Sequence, residues 1–321
     1  MGKDIDIILT NDETEVRRLV GKGYCPVECS INGHSIVDSL VMDHHEDLSH
    51  LEAVSVRAIR DHAGARGDDP RFVVVGACDA DAAYAIAALA GMIPQSKATL
   101  ALGDTIGIMD TTPIGRKLLD LPYGDFLEVW FEGHERTRTN RTPQGAIDAV
   151  LDWQKLTAEL ENPGPALQKR LRQARDSEAH RIDIAKQDLA RATVENGVCL
   201  MPHSDVFGFD VWYGRNESAS ADTCAGWQNQ VVVIYNKISK NIAIGCPNKK
   251  VAEELFGEGG LKNVFGKLPG GAWGGRESIG GSPRGLPMTL EDAQAAFKIV
   301  AGLVAERRPG VKPGLVAGKQ L

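Results

Sequence analysis

The stretch from Phe72 to Gly91, FVVVGACDADAAYAIAALAG, contains a strand, a polar turn and a helix in immediate succession. Phe72–Val75 is a run of aromatic and β-branched side chains, which is typical of a buried strand. Cys78–Asp81 is a polar turn, and the residues from Ala82 onward are small helix formers. This order predicts one unit of a mostly parallel sheet whose faces are covered by helices.

Units of the same kind lie on both sides of this stretch. A strand at Ile5–Leu9 precedes a predicted helix at Glu13–Val20, and a strand at Ser39–Met42 precedes one at Leu48–Ala63. Ala98–Leu102 is a fourth apolar run that we interpret as a strand. In such α/β sheets, ligands bind beyond the carboxyl ends of the strands. The polar residues that follow the predicted strands are therefore candidate site residues: Asp12, Asp43, His44, His45, Asp79, Asp81, Asp104 and Asp110.

The second half of the chain has a different composition. Residues 142–193 are predicted to be helical, and their highly charged later part is typical of a solvated bridge between domains. Two strands at Val231–Tyr235 and Ile242–Ile244 flank a turn, and helices follow at Lys249–Phe256 and from Thr289 to Arg307. The sequence predicts an α/β protein with three parts: a domain with a mostly parallel sheet over residues 1–160, a helical linker over 161–195, and a smaller α/β domain over 196–321.

Composition excludes several classes of protein. The 321 residues carry 36 basic and 43 acidic side chains, and a net charge of −7 argues against binding to duplex nucleic acid through general attraction to phosphate. The longest nearly charge-free apolar stretch, Ala82–Pro94, is shorter than the ~20 residues of a membrane helix, and the first residues lack the apolar core of a signal peptide. Six scattered cysteines predict free thiols. We expect a cytoplasmic protein that does not bind membranes.

The tripeptide Asp43-His44-His45 combines ligand types that bind divalent metals. A shell of mixed carboxylates and imidazoles favours Mn²⁺ or Co²⁺ over Mg²⁺. Asp79 and Asp81 add two carboxylates at a predicted strand-to-helix turn. The alternative is a solvated loop for the histidines and ordinary helix capping for Asp79 or Asp81. The two groups together favour a metal site, because carboxylates gathered at one edge of the sheet repel each other unless a cation is present.

Several of these segments resemble motifs of the DHH phosphoesterase superfamily, which includes single-strand exonucleases, oligoribonucleases, cyclic-dinucleotide phosphodiesterases and manganese pyrophosphatases. Val37–His45 resembles the signature strand with its Asp-His-His end, and Cys78–Ala85 resembles the D-x-D motif. Ala101–Ile108 is similar to the later Asp-Thr-Gly motif. The carboxyl-terminal half, through Gly274–Gly281, resembles the accompanying DHHA1 substrate-binding domain.

The resemblance implies roles for individual residues. It implies Mn²⁺ as the cofactor, with Mg²⁺ or Co²⁺ as alternatives, and a catalytic role for Asp43, His44 and His45. The implied metal ligands are His44, Asp79, Asp81, Asp104 and Asp110, and the implied substrate-binding residues are Gly274, Gly275, Arg276, Ser282 and Arg284.

Two features depart from the family pattern. The D-x-D motif precedes Asp-His-His in the family, whereas Asp79 and Asp81 follow His45 here. Either the first strands are circularly permuted, which we favour, or Asp4, Asp6 and Asp12 form a degenerate first motif. The family's Gly-Gly-His is Gly274-Gly275-Arg276 here, and Arg can hold an anion but cannot act as an acid. This change makes a nucleic-acid substrate less favoured.

The sequence therefore predicts a metal-dependent hydrolase of the DHH type. Its expected substrate is a small nucleotide or another phosphorylated metabolite, cleaved at a phosphoester or phosphoanhydride bond through a metal-activated water. Short single-stranded nucleic acid is a less favoured substrate, and a homodimer is left open. Two alternatives remain: a metal-dependent hydrolase of a non-phosphate metabolite on the same fold, and a non-catalytic binding protein that retains the fold.

Overall fold

The computed structural model describes residues 5–32, 34–45, 48, 50–111, 117–204, 206, 208–237, 239–283 and 286–307. These residues form a mixed α/β protein with several sheets, and the chain divides into two units, Met1–Glu178 and Ala179–Leu321. No helix in the described part is long and apolar enough to cross a membrane.

The first unit is built around a three-stranded parallel sheet with the strand order β1-β5-β2. Its elements are β1 (Asp6–Leu9), α1 (Glu13–Val20), β2 (Cys25–Val27), β3 (Ser30–Ile31), β4 (His34–Ser35), α2 (Val54–Asp61), β5 (Arg71–Val74), α3 (Ala80–Leu89), α4 (Lys97–Thr111), α5 (Gly124–Trp130), α6 (Pro143–Ala158) and the first half of α7 (Pro165–Ala190). The predictions of β1, α1, β5 and the helix after Asp81 are confirmed.

Helix α3 is the centre of the first unit's core. Every one of its residues is buried, because alanines let the neighbouring helices approach closely. Two other buried side chains, Trp130 and Trp153, stack at 5.4 Å between ring centroids in the same core. Helix α3 therefore packs tightly in the core, as expected from its run of small residues.

Two predicted strands are wrong. Ala98–Leu102 belongs to α4, since Ala and Leu are strong helix formers and Thr99 is the only β-branched residue of the run. Gly107 lets α4 approach α2, because a Cβ there would lie 2.8 Å from the Cβ of Ala53. Ser39–Met42 is a turn followed by irregular backbone, and Val41 has a left-handed φ of 51°. The helix that follows it is also shorter than predicted, at Val54–Asp61.

The second unit contains a six-stranded sheet with the order β10-β11-β9-β8-β7-β6, in which β7 and β8 are parallel and the other described pairs are antiparallel. Its elements are β6 (Thr193–Glu195), β7 (Val198–Met201), α8 (Phe209–Trp212), β8 (Val231–Asn236), β9 (Asn241–Gly245), α9 (Lys249–Phe256), α10 (Lys262–Phe265), β10 (Gly274–Gly275), β11 (Ile279–Gly281) and α11 (Leu290–Arg307). The predicted hairpin of β8 and β9 and the two predicted helices are confirmed.

Helix α7 crosses the division between the units. Its first half belongs to the first unit, because Leu167, Leu171 and Ala174 pack into that unit's core. Its second half belongs to the second unit, where the indole of Trp212 donates to the carbonyl of Ala185 at 3.1 Å. The segment predicted as a linker, residues 161–195, is therefore mostly one helix with each half packed in a different unit.

Candidate metal centre

The candidate site begins with two segments of irregular backbone that lie side by side. Glu28 directly follows β2, and its amide donates to the carbonyl of Met42 at 2.8 Å. Both Glu28 and Val41 have positive φ, 52° and 51°, a region that non-glycine residues rarely adopt. Left-handed backbone of this kind needs support from its surroundings and is concentrated at functional sites.

Three carboxylates surround one imidazole nitrogen. The Nε2 of His44 lies 3.1 Å from Oε1 of Glu28, 3.1 Å from Oδ2 of Asp110 and 3.5 Å from Oδ2 of Asp81. One ligand atom from each of these four residues lies within 4.8 Å of the others, as in a set of donors that could share one metal ion. The side chains of Glu28, His44 and Asp81 are at most 6% exposed, while Asp110 is 29% exposed and gives the cluster an open side.

The four donors come from four separate segments. Glu28 follows β2, His44 lies in the irregular loop, Asp81 is in the first turn of α3, and Asp110 is in the last turn of α4. Asp81 also accepts hydrogen bonds from the amides of Val54 and Ser55, at 2.9 and 3.0 Å, and so caps the start of α2. The carboxylate of Asp81 therefore contacts both the start of α2 and the other members of the candidate centre.

The carboxylates in this cluster disfavour one another's ionised forms. Burial and the carboxylates of Asp79 and Asp81 raise the pKa of Glu28 well above its usual range. Burial and then Asp110 raise the pKa of Asp81, and the same two causes raise the pKa of Asp79 to about 7. A divalent cation among these groups would offset their repulsion and favour the ionised, metal-binding forms.

Asp43 and His45 form a pair beside the cluster. The Oδ1 atom of Asp43 accepts the backbone amide of His45 and lies 2.9 Å from its Nδ1. Burial opposes the ionised carboxylate, but these two interactions with His45 hold the pKa of Asp43 below its usual range. With Nδ1 engaged by Asp43, Nε2 of the partly exposed His45 remains available. One ligand nitrogen of His45 also lies within 4.8 Å of the ligand atoms of Glu28 and His44.

The predicted site residues fall into two groups. His44, Asp81 and Asp110 come together, and Asp79 borders them while its carboxylate caps α3 through the amide of Ala82 at 3.0 Å. Asp104 does not join the cluster and is exposed. It precedes Asp110 by six residues on α4, which places the two side chains about 120° apart around the helix axis. The expected position of Asp104 was wrong because its segment is a helix and does not end a strand.

Glu28 is the member of the cluster that sequence reasoning missed. It follows a three-residue strand that contains Pro26, and a short strand with a proline gives a weak pattern. The available signal was an acidic side chain directly after the short apolar run of β2, the same signal that marks other strand ends.

The amino-terminal carboxylates considered as a degenerate motif lie elsewhere. Asp12 caps α1 by accepting the amide of Thr14 at 2.9 Å, and Asp6 accepts a hydrogen bond from the hydroxyl of Tyr24. Neither belongs to a donor cluster of the described residues, and Asp4 lies outside them.

The predicted substrate-binding residues lie in the second unit, around the hairpin of β10 and β11. Gly275 has a φ of 148°, and a Cβ there would lie 2.3 Å from the carbonyl oxygen of Ile279. The amide of Arg276 donates to the same carbonyl at 2.7 Å, while its side chain is exposed. Ser282 is buried, and its hydroxyl accepts the amide of Ile242 at 3.0 Å, so it supports the sheet. Gly274 is exposed in β10, and Arg284 lies outside the described residues.

The donor set could hold a divalent metal ion, since one atom from each of Glu28, His44, Asp81 and Asp110 lies within 4.8 Å of the others. Carboxylates and imidazoles are both ligand types for divalent metals. A divalent cation would also offset the repulsion among the buried carboxylates. Comparison of the chain with protein-family models, with curated proteins and with solved structures found no match.

Proposed function

We propose that this protein is a metal-dependent hydrolase that cleaves a phosphoester or phosphoanhydride bond in a small nucleotide or another phosphorylated metabolite. The observation that carries the proposal is the buried cluster of Glu28, His44, Asp81 and Asp110. The resemblance of Val37–His45 to the signature segment of DHH phosphoesterases supports phosphorus as the atom attacked.

In this proposal Glu28, His44, Asp81 and Asp110 hold Mn²⁺. A bound divalent ion of this kind lowers the pKa of a coordinated water and neutralises charge that develops on a phosphoryl group. Asp110, the most exposed of the four residues, lies on the side open to substrate. Asp79 adds negative charge at the edge of the cluster and strengthens the attraction for a cation.

Asp43 and His45 supply proton transfer in this proposal. The buried carboxylate of Asp43 holds the imidazole of His45 by Nδ1, which leaves Nε2 to give a proton to the departing oxygen or to take one from the attacking water. The exposure of His45 allows a substrate to reach that nitrogen, since a third of its side chain is open to solvent.

The proposal is tested by combining metal binding with a product assay. Protein treated with a chelator is unfolded thermally with and without Mn²⁺. A separate assay measures monoester formation from diesters and phosphate release from monoesters and pyrophosphate. Mn²⁺ at 100 times its dissociation constant should stabilise the fold by ~2.7 kcal/mol. Mn²⁺ binding without cleavage of any of these substrates would favour a hydrolase of a non-phosphate metabolite, and no Mn²⁺ binding would contradict the metal centre itself.

Arg276 is expected to bind the anionic part of the substrate. Arg276 is an exposed residue on the glycine-rich hairpin of β10 and β11. Arg276→Ala should raise KM ten- to a hundredfold, as expected for the loss of a charge-assisted hydrogen bond of ~1.5 to 3 kcal/mol, with Mn²⁺ content unchanged. Arg276→Lys should restore part of the affinity, because Lys keeps the charge but not the planar fork.

The control for this prediction is Lys262→Ala, which removes another exposed cation of the same unit and should leave KM unchanged. Wild-type kinetics in both Arg276 variants would exclude the predicted role. Loss of metal in Arg276→Ala would instead show that the residue supports the structure of the site.

A further inference from the structure

The loop that carries His44 lacks the support that a sheet would give it. Its residues 41–44 belong to no strand, although the sequence pattern predicts one there. Three carbonyls in and near this loop accept hydrogen bonds from a single side chain on α2. The guanidinium of Arg57 donates from Nη1 to Val41, from Nη2 to Asp43 at 2.8 Å, and from Nε to Glu52 at 2.9 Å.

These bonds act directly on the peptide that precedes His44. The carbonyl of Asp43 belongs to the peptide group that joins Asp43 to His44. The guanidinium therefore restrains the backbone to which the imidazole of His44 is attached. The carbonyl of Val41 belongs to a β-branched residue with a φ of 51°, a conformation that such residues adopt only when neighbouring groups stabilise it. Arg57 thus replaces the ladder of hydrogen bonds that a strand would have supplied.

The helix that carries Arg57 is itself attached to the cluster. Asp81 accepts the amides of Val54 and Ser55 at the start of α2, and Arg57 lies in the same turn region of that helix. One end of α2 therefore contacts the carboxylate of one ligand and the loop backbone of another. A change in the position of α2 would change the separation of His44 and Asp81, which is 3.5 Å between Nε2 and Oδ2.

We infer that Arg57 is a positioning residue: its planar fork holds the loop of residues 41–44 so that His44 faces Glu28, Asp81 and Asp110. This inference rests on the proposed metal centre. The competing role for a half-buried cation facing Asp43 and Asp81 is that of a counter-charge, which would reduce repulsion without fixing any geometry. The two roles predict opposite results for substitutions that keep or remove the charge.

The test is Mn²⁺ titration of the full chain, with Arg57→Lys and Arg57→Ala compared with the wild type. Lys keeps the charge but cannot bond three carbonyls at once. A positioning role predicts that both variants bind Mn²⁺ ten- to a hundredfold more weakly. Arg60→Ala is the matched control and should be silent, since Arg60 lies on the same helix and, among the described residues, its side chain pairs with the exposed side chains of Glu52 and Asp61 alone. Unchanged affinity in Arg57→Lys with tighter binding in Arg57→Ala would overturn the inference and establish the counter-charge.

Hydrogen exchange of the metal-free protein separates this inference from the proposed function. The amide of Glu28 donates to Met42 and that of His45 to Asp43, so both report the position of the loop. Arg57→Lys should speed exchange at these two amides at least tenfold while α6 and α11 keep wild-type protection. Unchanged exchange would refute the positioning role even if Mn²⁺ binds. A wild-type protein that binds no Mn²⁺ would refute the proposed function, and accelerated exchange would then still show that Arg57 holds the loop.

Discussion

Replacing His44 with Ala is expected to lower Mn²⁺ affinity by at least a hundredfold and to abolish metal-dependent turnover. The imidazole is the one nitrogen donor of the four-residue cluster, and its Nε2 lies within 3.5 Å of all three carboxylates. Without it, Glu28, Asp81 and Asp110 face each other across a cavity, and their arrangement suits a transition metal less well. Metal content by mass spectrometry and phosphate release measure the two effects.

The fold should survive this substitution, because His44 lies in a loop and contributes to no strand or helix. Circular dichroism of the variant should match the wild type, with a loss of stability of ~1 to 3 kcal/mol at most. Asp104→Ala is the matched control, since it removes an acidic side chain from α4 outside the cluster. Full activity of His44→Ala with unchanged Mn²⁺ content would show that the cluster is not the metal site.

Replacing Glu28 with Gln is expected to weaken Mn²⁺ binding and to stabilise the metal-free protein. Gln keeps the shape of the side chain and can still accept a hydrogen bond from His44, but it removes one charge from a buried group of carboxylates. Mn²⁺ affinity should fall by ten- to a hundredfold or more. The metal-free variant should melt at a higher temperature than the metal-free wild type at pH 8, because the ionised Glu28 carboxylate is disfavoured in the folded protein.

The sign of this stability change follows from the raised pKa of Glu28. Below the usual pKa range of glutamate, the carboxyl group is protonated in the folded and unfolded chains alike, so Gln gains nothing. Above the raised pKa, folding must bury an ionised group among like charges, and Gln removes that cost. The gain in melting temperature should therefore grow from pH 4 to pH 8 in chelator. Asp12→Asn, which changes an exposed cap of α1, should show neither effect. A metal-free Glu28→Gln variant that melts below the wild type at pH 8 would contradict the repulsion described.

Local patterns of sequence were sufficient for much of the fold. Helix α1 has the predicted bounds because Asp12 caps it and its apolar residues recur at helical spacing. Helix α3 follows a buried strand and is rich in alanine, and it is buried along its whole length. The capping box of α11 is also present, with the amide of Thr289 bonded to Asp292 at 2.8 Å. Such features depend on residues close in the chain, so the sequence displays them directly.

The candidate site was only partly predictable. His44, Asp81 and Asp110 were named from residue types that follow predicted strands, yet Asp110 joins the cluster from the last turn of a helix. Asp104 was named for the same reason and lies on another face of that helix. Glu28 was not named, because the proline-containing strand before it gives little pattern. Residue types alone selected three of the four members of the cluster, while the secondary structure assumed around Asp104 and Asp110 was wrong.

The sequence by itself determined β1 with α1, β5 with α3, and the presence of acidic and imidazole side chains able to bind a metal. Only the tertiary structure decided which of those side chains meet. Four donors from four segments converge because α4 packs against α2 at Gly107, Asp81 caps α2, and Arg57 bonds the carbonyls of Val41 and Asp43. Each of these contacts joins residues distant in sequence. Periodicity and capping act within a few residues, whereas the position of a ligand depends on the packing of whole helices.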